Sequence, residues 1–309
     1  MGNLTARGRH QDTEEVDPII FTGAQQTRGY WQGILFNNSD QLPNELSHCI
    51  IEYAGNPTFS FENEPGNLVA KNGSRLAVNH TTIRESAGYG FVADWSGGAT
   101  ITSFDSNEIT ANRKGAVFTT ARVADGLEDS TAYTGNDVDV IDIKKEHVQD
   151  GESTTWSVTD VPYRVRSSVT IRVRGEMAVE PGLTVAFGQN AGILVAMDQR
   201  AGTFTAVGKP NEEITFTGDQ QTPGYWKGIK FEKTRSAGNK LEHCLVEYGG
   251  KEYSFAPAGG NVVVTSGGHA TVADATLAES SNYGLVTDGE SSASTSNVTY
   301  RSNAKGNTN

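Results

Sequence analysis

Three kinds of residue in this chain could do chemistry, and each occurs twice in matching surroundings. Tyr30 and Trp31 lie in Gly29-Tyr30-Trp31-Gln32-Gly33, and Tyr225 and Trp226 repeat them in Gly224-Tyr225-Trp226-Lys227-Gly228. Flat aromatic faces with a polar edge stack on sugar rings, so these four are the candidate carbohydrate contacts. Glu52 and Glu247 precede Tyr53 and Tyr248, while Glu85 and Glu279 precede Ser86 and Ser280. Carboxylates gathered on one face serve as acid and base, or hold a cation. His48-Cys49 and His243-Cys244 supply imidazole and thiol, the ligands of softer metals.

Each set also has a plainer reading. A catalytic site is normally unique, whereas these residues recur at matching points, so no catalytic residue is expected. The Gly before and the Gly-Ile after each aromatic pair mark a packing element, because a buried ring contributes much area to a thin core. Carboxylates and other polar residues at corners stack into hydrogen-bonded ladders. A zinc site needs three or four convergent ligands, and no C-x-x-C or H-x-x-x-H spacing accompanies the His-Cys pairs. Strand alternation sends His and Cys to opposite faces. No metal ligand is therefore expected.

The acidic stretch Asp125, Glu128, Asp129, Asp137, Asp139 and Asp142 invites Ca²⁺. It lacks both the EF-hand spacing and the glycine-rich nonapeptide of calcium-binding β-rolls, so no cofactor is expected and the stretch reads as a solvated face. Gly-x-Ser-x-Gly nucleophile elbows and glycine-rich phosphate loops are missing. A net charge of −12 repels phosphate backbones, which argues against nucleic acid.

What positions these residues is a long repeat. Residues 21–55 return 195 positions later as residues 216–250, with roughly 19 of 35 positions identical and no gap. The match resumes between residues 69–92 and 263–286, and again between Asn112-Arg113-Lys114-Gly115 and Asn303-Ala304-Lys305-Gly306. The chain of 309 residues thus holds about one and a half copies of a unit of about 195 residues. Within each unit a shorter rhythm runs, seen in Ile83 to Ile109 and Leu277 to Tyr300. Short aliphatic strands alternate there with Ser, Asn and Gly corners. With 35 glycines and no long 3.6-residue period, this predicts an all-β solenoid whose coils stack by parallel pairing.

Residues 1–124 form the first copy, residues 125–160 are expected to be a joint, and residues 161–309 lead into the second, truncated copy. At about 22 residues per coil, Cys49 and Cys244 stand about nine coils or ~40 Å apart, beyond disulfide reach. Both are expected to be small core residues. No apolar leader precedes residue 21, and no run reaches the ~18 apolar residues of a membrane span. A solenoid cut in mid-pattern exposes strand edges, so end-to-end self-association is expected.

The series Val179-Glu180-Pro181-Gly182-Leu183-Thr184-Val185, Phe187-Gly188-Gln189-Asn190-Ala191-Gly192, Ala206-Val207-Gly208, Ile214-Thr215-Phe216-Thr217-Gly218 and Pro223-Gly224-Tyr225-Trp226-Lys227-Gly228-Ile229 resembles right-handed parallel β-helix proteins of the pectin-lyase-like superfamily. More narrowly it is similar to bacterial secreted or cell-surface β-helix proteins. The resemblance implies an extracellular or cell-surface location, with carbohydrate or cell-surface components as partners. That fold hosts lyases, hydrolases, adhesins and spikes. Its pectate lyases use Ca²⁺-binding acids with a catalytic arginine, and its polygalacturonases use aspartates near Gly-His-Gly and Arg-Ile-Lys. Neither tripeptide occurs here, Gly267-Gly268-His269 being the nearest. Asp94-Trp95 with Arg84 and Arg113 is the one lyase-like grouping. The expected function is a non-enzymatic structural or adhesion segment with weak glycan binding. The alternative is a polysaccharide lyase or glycoside hydrolase, and a trimeric spike is a third reading. If function resides in what the copies do not share, it belongs to residues 56–66 and 125–142.

Overall fold

A computed structural model of the chain describes residues 2–8, 17–39, 44–56, 64–93, 99–144, 147–196, 202–254 and 256–309. The described chain is all β, apart from one 3₁₀ turn at Val123–Gly126. It divides into two compact units, Met1–Asp142 with Thr159–Pro162, and Ile143–Val158 with Tyr163–Asn309. No helix among the described residues is long and apolar enough to cross a membrane.

In the first unit the chain visits three faces in rotation. The first face stacks Thr5–Arg7, Asn44–Ser47, Arg75–Asn79 and Thr100–Ser103. Ile19–Phe21, Cys49–Glu52, Thr82–Arg84 and Glu108–Thr110 make the second, and Ile34–Asn37, Gly66–Lys71, Tyr89–Ala93 and Gly115–Thr120 the third. Every pairing within a face is parallel. Returning to the same face in the same direction after each circuit is what defines a parallel β-helix.

The second unit follows the same rotation. Its first face includes Thr203–Val207, Lys240–Glu242, His269–Ala273 and Ser292–Ser296. Ile214–Gly218, Cys244–Glu247, Thr276–Ala278 and Thr299–Arg301 lie on the second face. The third carries Ile229–Glu232, Gly260–Thr265, Tyr283–Thr287 and Gly306–Thr308.

The strands form from runs of two to six residues rich in aliphatic and aromatic side chains, too short for a helix, some alternating with polar residues and others, such as Gly260–Thr265, buried throughout. Parallel register stacks like on like. Ile51 pairs with Ile83 and Ile83 with Ile109, and all three are fully buried. Val246 on Leu277 is the equivalent column in the second unit. Cys49 and Cys244 are free and buried, as the repeat implied.

The corners are sharper than the sequence suggested. His48 does not continue one strand with Cys49. It has φ of 51° and separates Asn44–Ser47 from Cys49–Glu52. His80 and Ser106 take the same left-handed conformation one and two coils on, and His243, Asp274 and Asn297 do so in the second unit. Such backbone is unfavourable for residues other than glycine, and Asn, Asp and His tolerate it best. Backbone hydrogen bonds between coils hold it in place: His48 N–H donates to Asn79 O at 3.2 Å and His243 N–H to Ala273 O at 3.2 Å.

Candidate functional site

Why the aromatic pair is flanked by glycine follows from the backbone. Gly33 and Gly228 have φ of 107° and 92°, and a Cβ on either would lie 2.5 Å from Asn67 O or 2.2 Å from Gly260 O. The chain can press against the next coil here only without a side chain. Just before this point, the Trp31 and Trp226 indole N–H groups donate to the carbonyls of Glu52 and Glu247, both at 2.8 Å. The two rings differ in exposure. Trp226 has none and stacks on Phe187 with ring centroids 4.0 Å apart. It therefore offers no face to a sugar, which removes it from the four candidate contacts. Trp31 and Tyr225 are half-buried, and Tyr30 is 44% exposed. Of the four, accessible aromatic surface thus remains at Tyr30, Trp31 and Tyr225, most of all at Tyr30.

The repeated carboxylates begin alike and then diverge. Thr22 Oγ1 donates to Glu52 at 2.9 Å, and Thr217 Oγ1 to Glu247 at 3.0 Å. Glu52 also receives Arg84, whose Nε and Nη2 both lie 2.8 Å from Oε2. In the second unit, Ala278 occupies the corresponding place. Glu85 binds Arg28 Nε at 2.8 Å, and Arg28 reaches on to Asp137 through Nη1 at 2.9 Å. Pro223 stands where that arginine would be in the second copy. Two arginine–carboxylate clusters thus belong to the first unit alone. Residue spacing could not reveal them, since Arg28 and Asp137 lie 109 positions apart. Comparing the copies for charge differences would have flagged Arg28 and Arg84.

The acidic stretch is for the most part the solvated face expected from its composition, with Asp125, Asp129, Asp137 and Asp139 exposed and Glu128 half-buried, and Asp142 is the exception. Asp142 is buried and accepts a 2.6 Å hydrogen bond from the Tyr89 hydroxyl. Asp139 accepts the Asn136 amide and Glu128 the Phe104 amide. Asp137 is tied to Arg28, and Asp125 and Asp129 join no metal-ligand group among the described residues. Asp139 and Glu128 thus hold loop backbone, while Asp142 and Asp137 bind side chains. Of the lyase-like grouping, Arg84 is engaged by Glu52 and Arg113 is exposed, while Asp94-Trp95 lies outside the described residues. So does most of the unshared excursion, residues 57–63.

The cysteines offer no reactive thiolate. Burial pushes the Cys244 thiol up to about 12, and it also raises Cys49. His48 stacks on His80, with ring centroids 4.8 Å apart and ring planes nearly parallel.

The second unit contributes a depression of about 230 Å³ lined by Arg164, Arg166, Ser167, Gly188 and Asp219. Guanidinium groups recognise carboxylates through parallel N–H donors, so this lining suits an acidic sugar better than a neutral one. No protein-family model, curated protein or solved structure matches the chain.

Proposed function

We propose that this chain is a non-enzymatic β-helical segment of a bacterial secreted or cell-surface protein. It acts as a structural or adhesion spacer that makes weak contacts with glycans, within a right-handed helix of the pectin-lyase-like kind. The observation that carries this reading is the fate of the duplicated polar groups. Both tryptophans bond the same carbonyl at the same distance, and both Thr–Glu pairs join neighbouring coils. Residues kept in both copies are engaged in holding the stack, and a scaffold is what such residues build. Glycan contact would fall to Tyr30 and Trp31 in the first unit and to Tyr225 in the second.

One observation favours the alternative of a polysaccharide lyase or glycoside hydrolase. Arg84–Glu52 and Arg28–Glu85 put guanidinium and carboxylate groups on one unit without a counterpart in the other. Incubation with a panel of uronate polysaccharides, with and without Ca²⁺, separates the two. The spacer reading expects no unsaturated product by ultraviolet absorbance and weak retention on acidic glycan arrays. Catalytic accumulation of product would replace it with the lyase reading. End-to-end contact through strand edges would appear as concentration-dependent growth in light scattering, and a discrete trimer would point to a spike.

A further inference from the structure

One corner of the second unit gathers ligand atoms that its counterpart in the first unit does not. His243 separates Lys240–Glu242 from Cys244–Glu247, and Asp274 occupies the same corner one coil on. Both are pinned through the backbone. His243 accepts the Ile214 amide at 3.1 Å while donating to Ala273, and Asp274 donates to Ser296 O at 2.9 Å. Glu242 ends the strand just before the corner. An imidazole nitrogen of His243 and one carboxylate oxygen from each of Glu242 and Asp274 all lie within 4.8 Å of one another. No other group of three such ligands converges among the described residues.

Second contacts orient both carboxylates. Lys240 Nζ pairs with Glu242 Oε2, and Asn297 Nδ2 donates to Asp274 Oδ1 at 2.6 Å. Each engages one oxygen of its carboxylate, as outer partners of metal ligands commonly do. Glu213 adds negative charge from the coil before, since Ile214 pairs with Cys244 and so sets Glu213 beside His243 in register. Two carboxylates therefore face one imidazole, with Lys240 as the opposing charge.

We propose that Glu242, His243 and Asp274 bind a divalent transition ion of the zinc type, which joins two successive coils at this corner. One nitrogen and two oxygens make a borderline ligand set, suited to zinc, cobalt or nickel rather than to Mg²⁺ or Ca²⁺. Metal bonds of about 2.0–2.2 Å require the three side chains to close in, which their partial exposure allows. Water completes the coordination shell.

The first unit supplies the control. There the corner reads Pro18, His48, His80 and Ser106, with Ser47 in the place of Glu242. His48 and His80 stack on each other, and the carboxylate at hand is Asp105, 3.9 Å from His80.

The test is titration of the chelator-treated chain with zinc by calorimetry and with cobalt(II) by visible absorbance. Expected are one ion per chain and a weakening of more than about tenfold in each of His243→Asn, Asp274→Asn and Glu242→Gln. Asparagine is chosen at the corners because it tolerates their left-handed backbone, as Asn297 already does. His48→Asn should leave zinc affinity unchanged. Zinc should raise the thermal midpoint of the parent and not that of His243→Asn. If a corner variant fails to fold, Glu242→Gln carries the test from a strand position. The proposal is overturned by absence of saturable binding, by binding that all three variants retain, or by binding lost in His48→Asn and kept in His243→Asn.

Discussion

Set side by side, the two copies of the repeat agree inside and disagree outside. Trp31 and Trp226, Asn67 and Asn261, and Cys49 and Cys244 each make the same bonds to the same part of the coil. The differences are charges: Arg28 against Pro223, Arg84 against Ala278, Ser47 against Glu242, and His80 against Asp274. A buried polar group is costly to leave unpaired, so positions that satisfy one are hard to change. An exposed position at a corner carries no such penalty. The comparison therefore separates the residues that make the solenoid from those that give each copy its own chemistry.

The largest effect should come from the tryptophans, where the copies share a bond but not an environment. Trp226→Ala removes a fully buried ring stacked on Phe187 and should cost about 3–5 kcal/mol. Trp31→Ala removes a half-buried ring and should cost clearly less. Urea midpoints measure both, and equal losses would mean that burial does not distinguish the copies.

Asparagine should show the opposite pattern, with matching losses. Asn67 accepts the Ala54 amide and donates to Ile51 O and Arg84 O. Asn261 accepts the Gly249 amide and donates to Ala278 O. Both are fully buried, so alanine at either should cost about 1–3 kcal/mol through orphaned backbone groups. A silent Asn261→Ala would break the equivalence of the two copies.

A smaller effect is expected at the charge difference. Arg84→Ala leaves Glu52 with Thr22, as Ala278 already leaves Glu247 with Thr217. Because the Arg84 side chain is 43% exposed while that of Glu52 is only 9%, the loss should be about 1–2 kcal/mol, more than a surface pair gives. Ala278→Arg is the reciprocal change and should not destabilise the second unit, which thermal melting can check.

The smallest effect is on acid sensitivity. Burial pushes the Asp288 carboxyl up, but hydrogen bonds from the Ser266 amide, the Ser291 hydroxyl and the Glu290 and Ser291 amides outweigh it and hold it below 3.8. Its folded value is depressed, so its stabilising contribution is present above the unfolded value and is lost as pH falls through the folded one. Hydrogen bonds with Ser130 and Ser106 hold Asp105 low in the first unit, at an exposed site. Asp288→Asn should flatten the acid limb of the melting profile more than Asp105→Asn, since more hydrogen bonds hold the Asp288 carboxylate.

The solenoid was legible because its signal is periodic. Coil-sized steps such as Ile83 to Ile109 lie on paired strands, and aliphatic positions in one copy predict those in the other. The corners were not legible, because a left-handed residue leaves no mark when it is histidine or tyrosine rather than glycine. Reading His48 as a strand residue followed from alternation alone, which a single positive φ overrides. Reading Asp142 as solvated followed from its acidic neighbours, and the buried Tyr89 hydroxyl reverses it. The groups that converge at His243 come from neighbouring coils, so a search along the chain for ligand spacing passes over them.

His48, His80, His243 and Asp274 each give their amide to a carbonyl of the coil beside them and leave their side chains out of that bond. In one column the fold accepts histidine, histidine and serine, and in the matching column histidine, aspartate and asparagine. The corners thus act as sockets at a fixed pitch of about 4.8 Å, set by strand spacing and indifferent to what is plugged in. A lineage could exchange stacked rings for acids there, one residue per turn, while every strand kept its register. Surface chemistry and architecture can then vary independently, although both are written in the same short stretches of chain.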